Sequence, residues 1–338
     1  MKYDRIPNEL FIKNRKYFTA SMKPSSIAVF NSNDIYPISA DSTLPFEQHR
    51  DIFYLSGVDQ EESILVLFPD CPVEKHREVL FLKETNDHIA IWEGAKLTKQ
   101  ASYETSGIKT VYWLKDMEKI MFELMTQCDT VYINTNEHYR ANVETETREA
   151  RYVKWLTAKY PAHKTEKSNP ILQRLRSVKD QIEIDLIQNA CNITDKGFRR
   201  VLGFVKPGVW EYNIEAEFIH EFLNNKSKGF AYTPIIASGN NANVLHYIEN
   251  NKQCKAGDLI LFDQYTLHRS LINSSSQLRW SIDMRYIFSG SESGRPGMWD
   301  RNPEVGECIN AEVMSLIQQR QNSIDNPGTI IRKRVDSR

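Results

Sequence analysis

The residues best equipped for chemistry lie between Tyr232 and Arg279. Ala256-Gly-Asp-Leu-Ile-Leu-Phe-Asp263 is an apolar run that ends on a carboxylate, an oxygen donor of the kind that hard cations take. His246 stands 17 positions before Asp263, in Gly239-Asn-Asn-Ala-Asn-Val-Leu-His246, and Tyr232 precedes both. A histidine in such a loop is either a satisfied polar group or a hydrogen-bonding group at a site. After Asp263 come His268 and Arg279. If the turn is centred on Asn273 and Ser274, these two stand opposite each other in a hairpin, and a guanidinium there suits bidentate capture of a carboxylate. His49-Arg-Asp51 has the i, i+2 spacing that points both groups one way on a strand, although so short a pattern arises often by chance.

Positioning these groups requires regular elements. Tyr232–Ile236 and Asp258–Asp263 read as apolar strands. Before them, a long amphipathic helix opens at Lys179, places Ile182, Leu186, Ile187, Ala190, Ile193, Phe198, Val201 and Leu202 at helical spacing, and stops at Lys206-Pro-Gly208. A second helix starts near Asn213, buries Ile214, Phe218, Ile219, Phe222 and Leu223, and ends before Gly229. Earlier, Ile27–Phe30, Ile64–Phe68, Val79–Leu82 and Val131–Ile133 read as buried strands, and Leu114–Met125 as a helix with one apolar face. Residues 1–165 are therefore a mixed α/β domain, and Tyr160–Pro170, charged and proline-containing, reads as a linker. At the other end, Leu278–Phe288 alternates strictly between apolar and polar residues, as in a strand with one buried face.

Composition sets the frame. A length of 338 residues allows two domains or three small ones. With 41% hydrophobic and 26% charged residues and a net charge of −1, nothing argues for a nucleic-acid partner, a membrane surface or wholesale disorder. No apolar run approaches the roughly 20 residues of a membrane span, and the first residues lack the apolar core of a signal peptide, so the expected location is cytoplasmic. Cys71, Cys128, Cys191, Cys254 and Cys308 are odd in number, far apart and in no Cys-x-x-Cys pair, which excludes a disulfide framework or zinc ribbon.

Phe230–Tyr247 together with Gly257–Asp263 resembles the entry to a pita-bread metallopeptidase site, and more narrowly that of aminopeptidase P, the Xaa-Pro aminopeptidases. Arg174, Lys179 and Glu183 at the opening of the long helix, Lys206-Pro-Gly208 at its close, Tyr54-Leu-Ser-Gly57 and Trp92-Glu-Gly94 fit the same family, so the resemblance spans residues 1–263. It implies a creatinase/aminopeptidase P N-terminal domain over 1–165 and the first half of a pita-bread catalytic domain over 171–263. The implied activity is removal of an N-terminal residue preceding proline, with two divalent ions, usually manganese, and a peptide with proline in second position as substrate. His246 would hydrogen-bond the substrate backbone, Tyr232 would line the pocket and Asp263 would be the first metal ligand. First domains of this family commonly hold subunits together, which implies a homo-oligomer.

The family's second carboxylate should fall 11 positions after Asp263, and the residue there is Ser274; His268 is the one histidine in residues 264–338. An uncharged hydroxyl cannot offset the repulsion between two dications, so the dinuclear site is not expected to form and the chain is expected to be inactive as a peptidase. Leu267–Tyr286 with Ser293-Gly-Arg-Pro296 instead resembles the C-terminal segment of phytanoyl-CoA dioxygenase-type proteins, iron(II)/2-oxoglutarate oxygenases on a double-stranded β-helix. That resemblance implies His268 as an iron ligand and Arg279 as the grip on 2-oxoglutarate. The expected architecture is then α/β (α+β): the first domain, a truncated pita-bread half-domain, and a β-hairpin segment over 264–338, joined as a chimera at the Gly257-Asp258 strand. The alternatives to the peptidase lineage are the iron oxygenase, with His49 and Asp51 completing the ligand set, and a non-catalytic oligomerisation or binding module.

Overall fold

The computed structural model describes residues 3–137 and 144–255. In chain order the elements of the first domain are α1 (Asn8–Ala20), β1 (Ser26–Asn31), β2 (Pro37–Ser39), β3 (Ser42–Thr43), α2 (Arg50–Ser56), β4 (Ile64–Leu67), β5 (Glu78–Leu82), α3 (Asp87–Glu93), α4 (Lys99–Ser106), β6 (Thr110–Trp113), α5 (Met117–Met125), β7 (Thr130–Ile133), α6 (Arg148–Lys159), β8 (Lys164–Lys167) and α7 (Asn169–Ser177). The long helix α8 (Gln181–Phe204) and α9 (Glu211–Asn224) follow.

Six strands form one mixed sheet in the order β6-β5-β4-β1-β7-β8. β1 runs antiparallel to β4 and parallel to β7. β1 and β4 are buried at every position and β5 at all but its first, because both sheet faces are covered. On one face Ile27, Val29, Ile64, Val66, Val79, Phe81 and Val131 pack against Ile120, Met121, Leu124 and Met125 of α5 and Tyr152 and Leu156 of α6. On the other, Ala28, Phe30, Leu65, Leu67, Leu80 and Leu82 pack against Phe18, Ile52, Leu55, Ile171 and Leu172 from α1, α2 and α7.

Three expectations are corrected. The presumed linker contains β8, which pairs parallel with β7 from Thr130↔Lys164 to Ile133↔Lys167. It escaped notice because Lys164-Thr-Glu-Lys167 carries the charges that protect an exposed sheet edge. With Ile171 and Leu172 buried in the same core, the first domain's packing runs past the boundary drawn at 165. The Leu114–Met125 helix is split, a 3-10 turn over Leu114–Asp116 preceding α5. Tyr232–Ile236 is not a regular strand, and Asp258–Asp263, the strand expected beside it, lies outside the described residues.

α8 opens with a capping box. Asp180 accepts from the Ile182 amide at 3.0 Å, and Glu183 reaches back to the Asp180 amide at 2.8 Å. Its second half packs on α9 through Val201, Ile214, Phe218 and Phe222, with Val209, Ile236 and Cys254 closing the cluster. Gly197 is the point of closest approach, for a Cβ there would lie 2.9 Å from Phe218 Cδ1. Leu186, Ile187 and Ala190, expected on a buried face, are exposed among the described residues.

Candidate functional site

The loop from Ser238 to Lys252 carries His246 and is attached to α9 by polar groups. Glu211, the first residue of α9, is fully buried. One carboxylate oxygen accepts from the Ser238 amide at 2.6 Å and the Ser238 hydroxyl at 2.7 Å; the other accepts from the Tyr247 hydroxyl at 2.7 Å and the Lys252 amide at 2.9 Å. Four donors and the positive end of a helix offset the cost of burying this charge. Burial, reinforced by the bond to Glu211, raises the Tyr247 phenol above its ordinary pKa, so Tyr247 is the donor in that pair at neutral pH.

One helical turn along α9, Glu215 accepts from Asn250 Nδ2 at 2.9 Å. Asn250 also donates to the Pro234 carbonyl at 3.1 Å and accepts from the Ile236 amide at 3.0 Å. It thereby ties the segment containing Tyr232 to the far side of the loop. The loop's base is stitched to the entry of α9 by main-chain bonds from Glu211 N to the Lys252 carbonyl at 2.9 Å and from Cys254 N to the Val209 carbonyl at 2.8 Å.

At the tip, His246 is exposed and its backbone is left-handed, with φ of 62°. A positive φ is uncommon for any residue with a side chain, and such conformations persist where the surroundings impose them, often at functional sites. Val244 (54%), Leu245 (85%), Ile248 (55%) and Tyr232 (46%) are also exposed, so the apolar neighbours of His246 in sequence are open to solvent with it. Asn250 thus links the segment that follows Tyr232 to the loop that carries His246. Asp263, His268 and Arg279 lie outside the described residues.

Glu211, Glu215, Tyr247 and Asn250 were not singled out in the sequence. Acidic residues in a helix's first turns are ordinary, and nothing local to Trp210-Glu-Tyr-Asn-Ile-Glu215 shows that two of them turn inward.

His49-Arg-Asp51 sits on a helix N-terminus rather than on a strand. His49 caps α2 by accepting from the Asp51 amide at 3.3 Å. The Asp51 carboxylate is engaged by Asn134 Nδ2 at 3.0 Å and Arg176 at 2.7 Å. Both groups therefore have structural work, and the parallel side-chain directions that a strand would give them are not realised. Tyr54-Leu-Ser-Gly57 ends the same helix, with Gly57 left-handed at φ of 68° against the ring of Phe11. Trp92 of the other first-domain motif is 79% exposed on α3.

Comparison with known proteins accounts for both parts. Residues 11–132 match the family model for the aminopeptidase P N-terminal domain, and residues 185–269 match that for metallopeptidase family M24. Its relatives in sequence are Xaa-Pro aminopeptidases. The Escherichia coli (strain K12) Xaa-Pro aminopeptidase is 29% identical over 259 residues, covering 76% of this chain and 58% of that protein. The solved structure of Pseudomonas aeruginosa aminopeptidase PepP superposes with a TM-score of 0.67 at 27% identity, over 77% of this chain and 58% of that one. The structure of E. coli aminopeptidase P with the inhibitor Pro-Leu gives 0.66 at 27% identity, over 77% and 59%. The chain therefore spans a little under three fifths of the length of these relatives. The α/β fold is that of aminopeptidase P structures.

The match to metallopeptidase family M24 implies divalent metal ions. Among the described residues, no three or more His, Cys, Asp or Glu side chains come together as a metal site. Asp263, the expected first ligand, lies outside the described residues, so no step of chemistry is routed through a metal. No helix among the described residues is long and apolar enough to cross a membrane.

Proposed function

We propose that residues 171–263 provide the substrate-facing part of an Xaa-Pro aminopeptidase-type site, and that this chain does not complete the metal centre. In this assignment His246 hydrogen-bonds the backbone of a peptide whose second residue is proline. Tyr232 and the neighbouring apolar side chains line the pocket, and Asp263 offers one carboxylate to a metal, manganese by lineage.

The observation that carries the proposal is the exposed, left-handed His246 on a loop held by a polar framework, with Val244, Leu245 and Ile248 exposed beside it in sequence. A loop that spends buried hydrogen bonds to hold an imidazole in solvent is better explained by an external partner than by stability. The incomplete metal centre rests on donor chemistry. Ser274 occupies the place of the second carboxylate, and residues 264–338 contain one histidine, His268, whereas a pair of hard dications needs several charged donors.

Two measurements on the purified chain test the two halves. Titrating Pro-Leu while following the His246 imidazole by NMR is expected to move its Cε1 proton, and an unmoved signal at saturating dipeptide rejects the substrate role. Assaying cleavage of an Xaa-Pro peptide with added manganese, alongside metal analysis, is expected to show neither turnover nor a bound pair of ions. Manganese-dependent cleavage would refute the incomplete centre, and succinate release dependent on 2-oxoglutarate would favour the iron oxygenase.

A further inference from the structure

We infer that Glu211 is the positioning residue of the His246 loop: its buried carboxylate, rather than apolar packing, sets the loop's conformation. Its relevance to substrate rests on the role proposed for His246. The loop has little hydrophobic purchase. Val244, Leu245 and Ile248 point outward, while the neighbouring anchors Ile236 and Cys254 lie just outside it in the α8–α9 cluster. Between those anchors the buried side chains include Ser238, Tyr247 and Asn250, and the first two donate to Glu211.

The geometry of the four donors decides the role. Ser238 begins the loop, Lys252 ends it and Tyr247 follows His246 directly. One carboxylate therefore fixes both ends and the residue beside the imidazole. These four bonds, with the positive end of α9, compensate the buried charge. Tyr247 extends the clamp by accepting from the Asn251 amide at 3.3 Å. A carboxylate serving only the α8–α9 core would share its bonds with those helices, whereas all four side-chain bonds here go to the loop.

Glu211→Gln tests the inference in the full chain, because the amide keeps the shape but supplies one acceptor oxygen instead of two. The Ser238 and Lys252 amides cannot then both be satisfied. Hydrogen exchange is expected to accelerate at least tenfold across residues 236–254, with α8, α9 and the first-domain strands unchanged. The His246 Cε1 proton should move toward its random-coil position at an unchanged melting temperature. Should Glu211→Gln fail to fold, Tyr247→Phe removes one donor alone and is expected to accelerate exchange several-fold in the same segment.

Unchanged exchange in 236–254 would overturn the inference. So would an equal loss of protection through α8 and α9, which marks a core role. The Pro-Leu titration of the parent chain is separate. An imidazole that ignores the dipeptide counts against the substrate assignment, while the exchange pattern alone decides the clamp.

Discussion

At the scale of single residues, the imidazole of His49 is a titrating helix cap. It accepts from the Asp51 amide, and protonation would turn that acceptor into a donor. Burial, aided by Arg176 and Arg50 against the opposing pull of Asp51, lowers its pKa below the ordinary 6.5. The folded state therefore binds this proton less readily than the unfolded chain. The stabilisation is fully present above about 6.5 and is lost as pH falls through the depressed folded value. His49→Asn keeps a capping side chain that does not titrate. Urea unfolding is expected to show the parent losing on the order of 1 kcal/mol more than the variant between about pH 7 and 5, the worth of an N-cap; parallel profiles would discard the titrating cap. At the other end of α2, Gly57 lies at a positive φ against the Phe11 ring. Gly57→Ala combines a disfavoured backbone with overpacking and is expected to cost about 2 to 4 kcal/mol of unfolding free energy. A variant within 0.5 kcal/mol of the parent, about the scatter of a neutral surface change, would show that α1 yields at that contact.

Elements differ in how plainly the sequence announces them. β1, β4, β5 and β7 were legible because strands covered on both faces leave uninterrupted apolar runs. β8 was not, because an edge strand keeps its charges, and β6, Thr110-Val-Tyr-Trp113, was not, because on the opposite edge only Val111 of its four residues is buried. α8 and α9 were legible from periodicity and from the Lys206-Pro-Gly208 stop between them, yet the contact that brings them together was not. It depends on Gly197, a residue that a helical pattern treats as a defect. With Phe218 Cδ1 at 2.9 Å and Phe222 Cε1 at 3.1 Å from a Cβ placed there, the glycine admits two rings to the α8 backbone. Gly197→Leu supplies a better helix former and should nevertheless destabilise by at least about 2 kcal/mol, since overpacking outweighs propensity. Hydrogen exchange should locate the loss in 193–222, and a variant as stable as the parent would mean that the rings can leave Gly197 at little cost. The His246 loop was legible as a motif but not as a structure, because its framework is a set of hydrogen bonds between residues up to 41 positions apart.

For the molecule as a whole, the two parts are held with unequal strength. The six-stranded sheet carries apolar clusters on both faces, whereas α8, α9 and the His246 loop share one smaller cluster. Four ion pairs join the first domain's early residues to this second part and its approach: Lys13 with Asp180, Asp51 with Arg176 at 2.7 Å, Asp4 with Lys226 at 2.7 Å, and Asp59 with Lys228 at 2.7 Å. Most of these side chains are at least partly solvated, and pairs of that kind contribute about 0 to 1 kcal/mol each and are screened by salt. The sheet rests chiefly on its two apolar clusters, which salt does not screen, so added salt should act on the two parts differently. Under increasing urea, amides of residues 181–224 are expected to lose protection before those of β1, β4, β5 and β7, as a less stable cooperative unit opens first. About 0.5 M sodium chloride, where screening falls to several ångströms, should move the first transition to lower urea while leaving the second nearly in place. If instead both sets of amides exchange together at every urea concentration, with or without salt, then the first domain and the helices that carry the candidate site form one cooperative unit, and the ion pairs between them do not govern their separation.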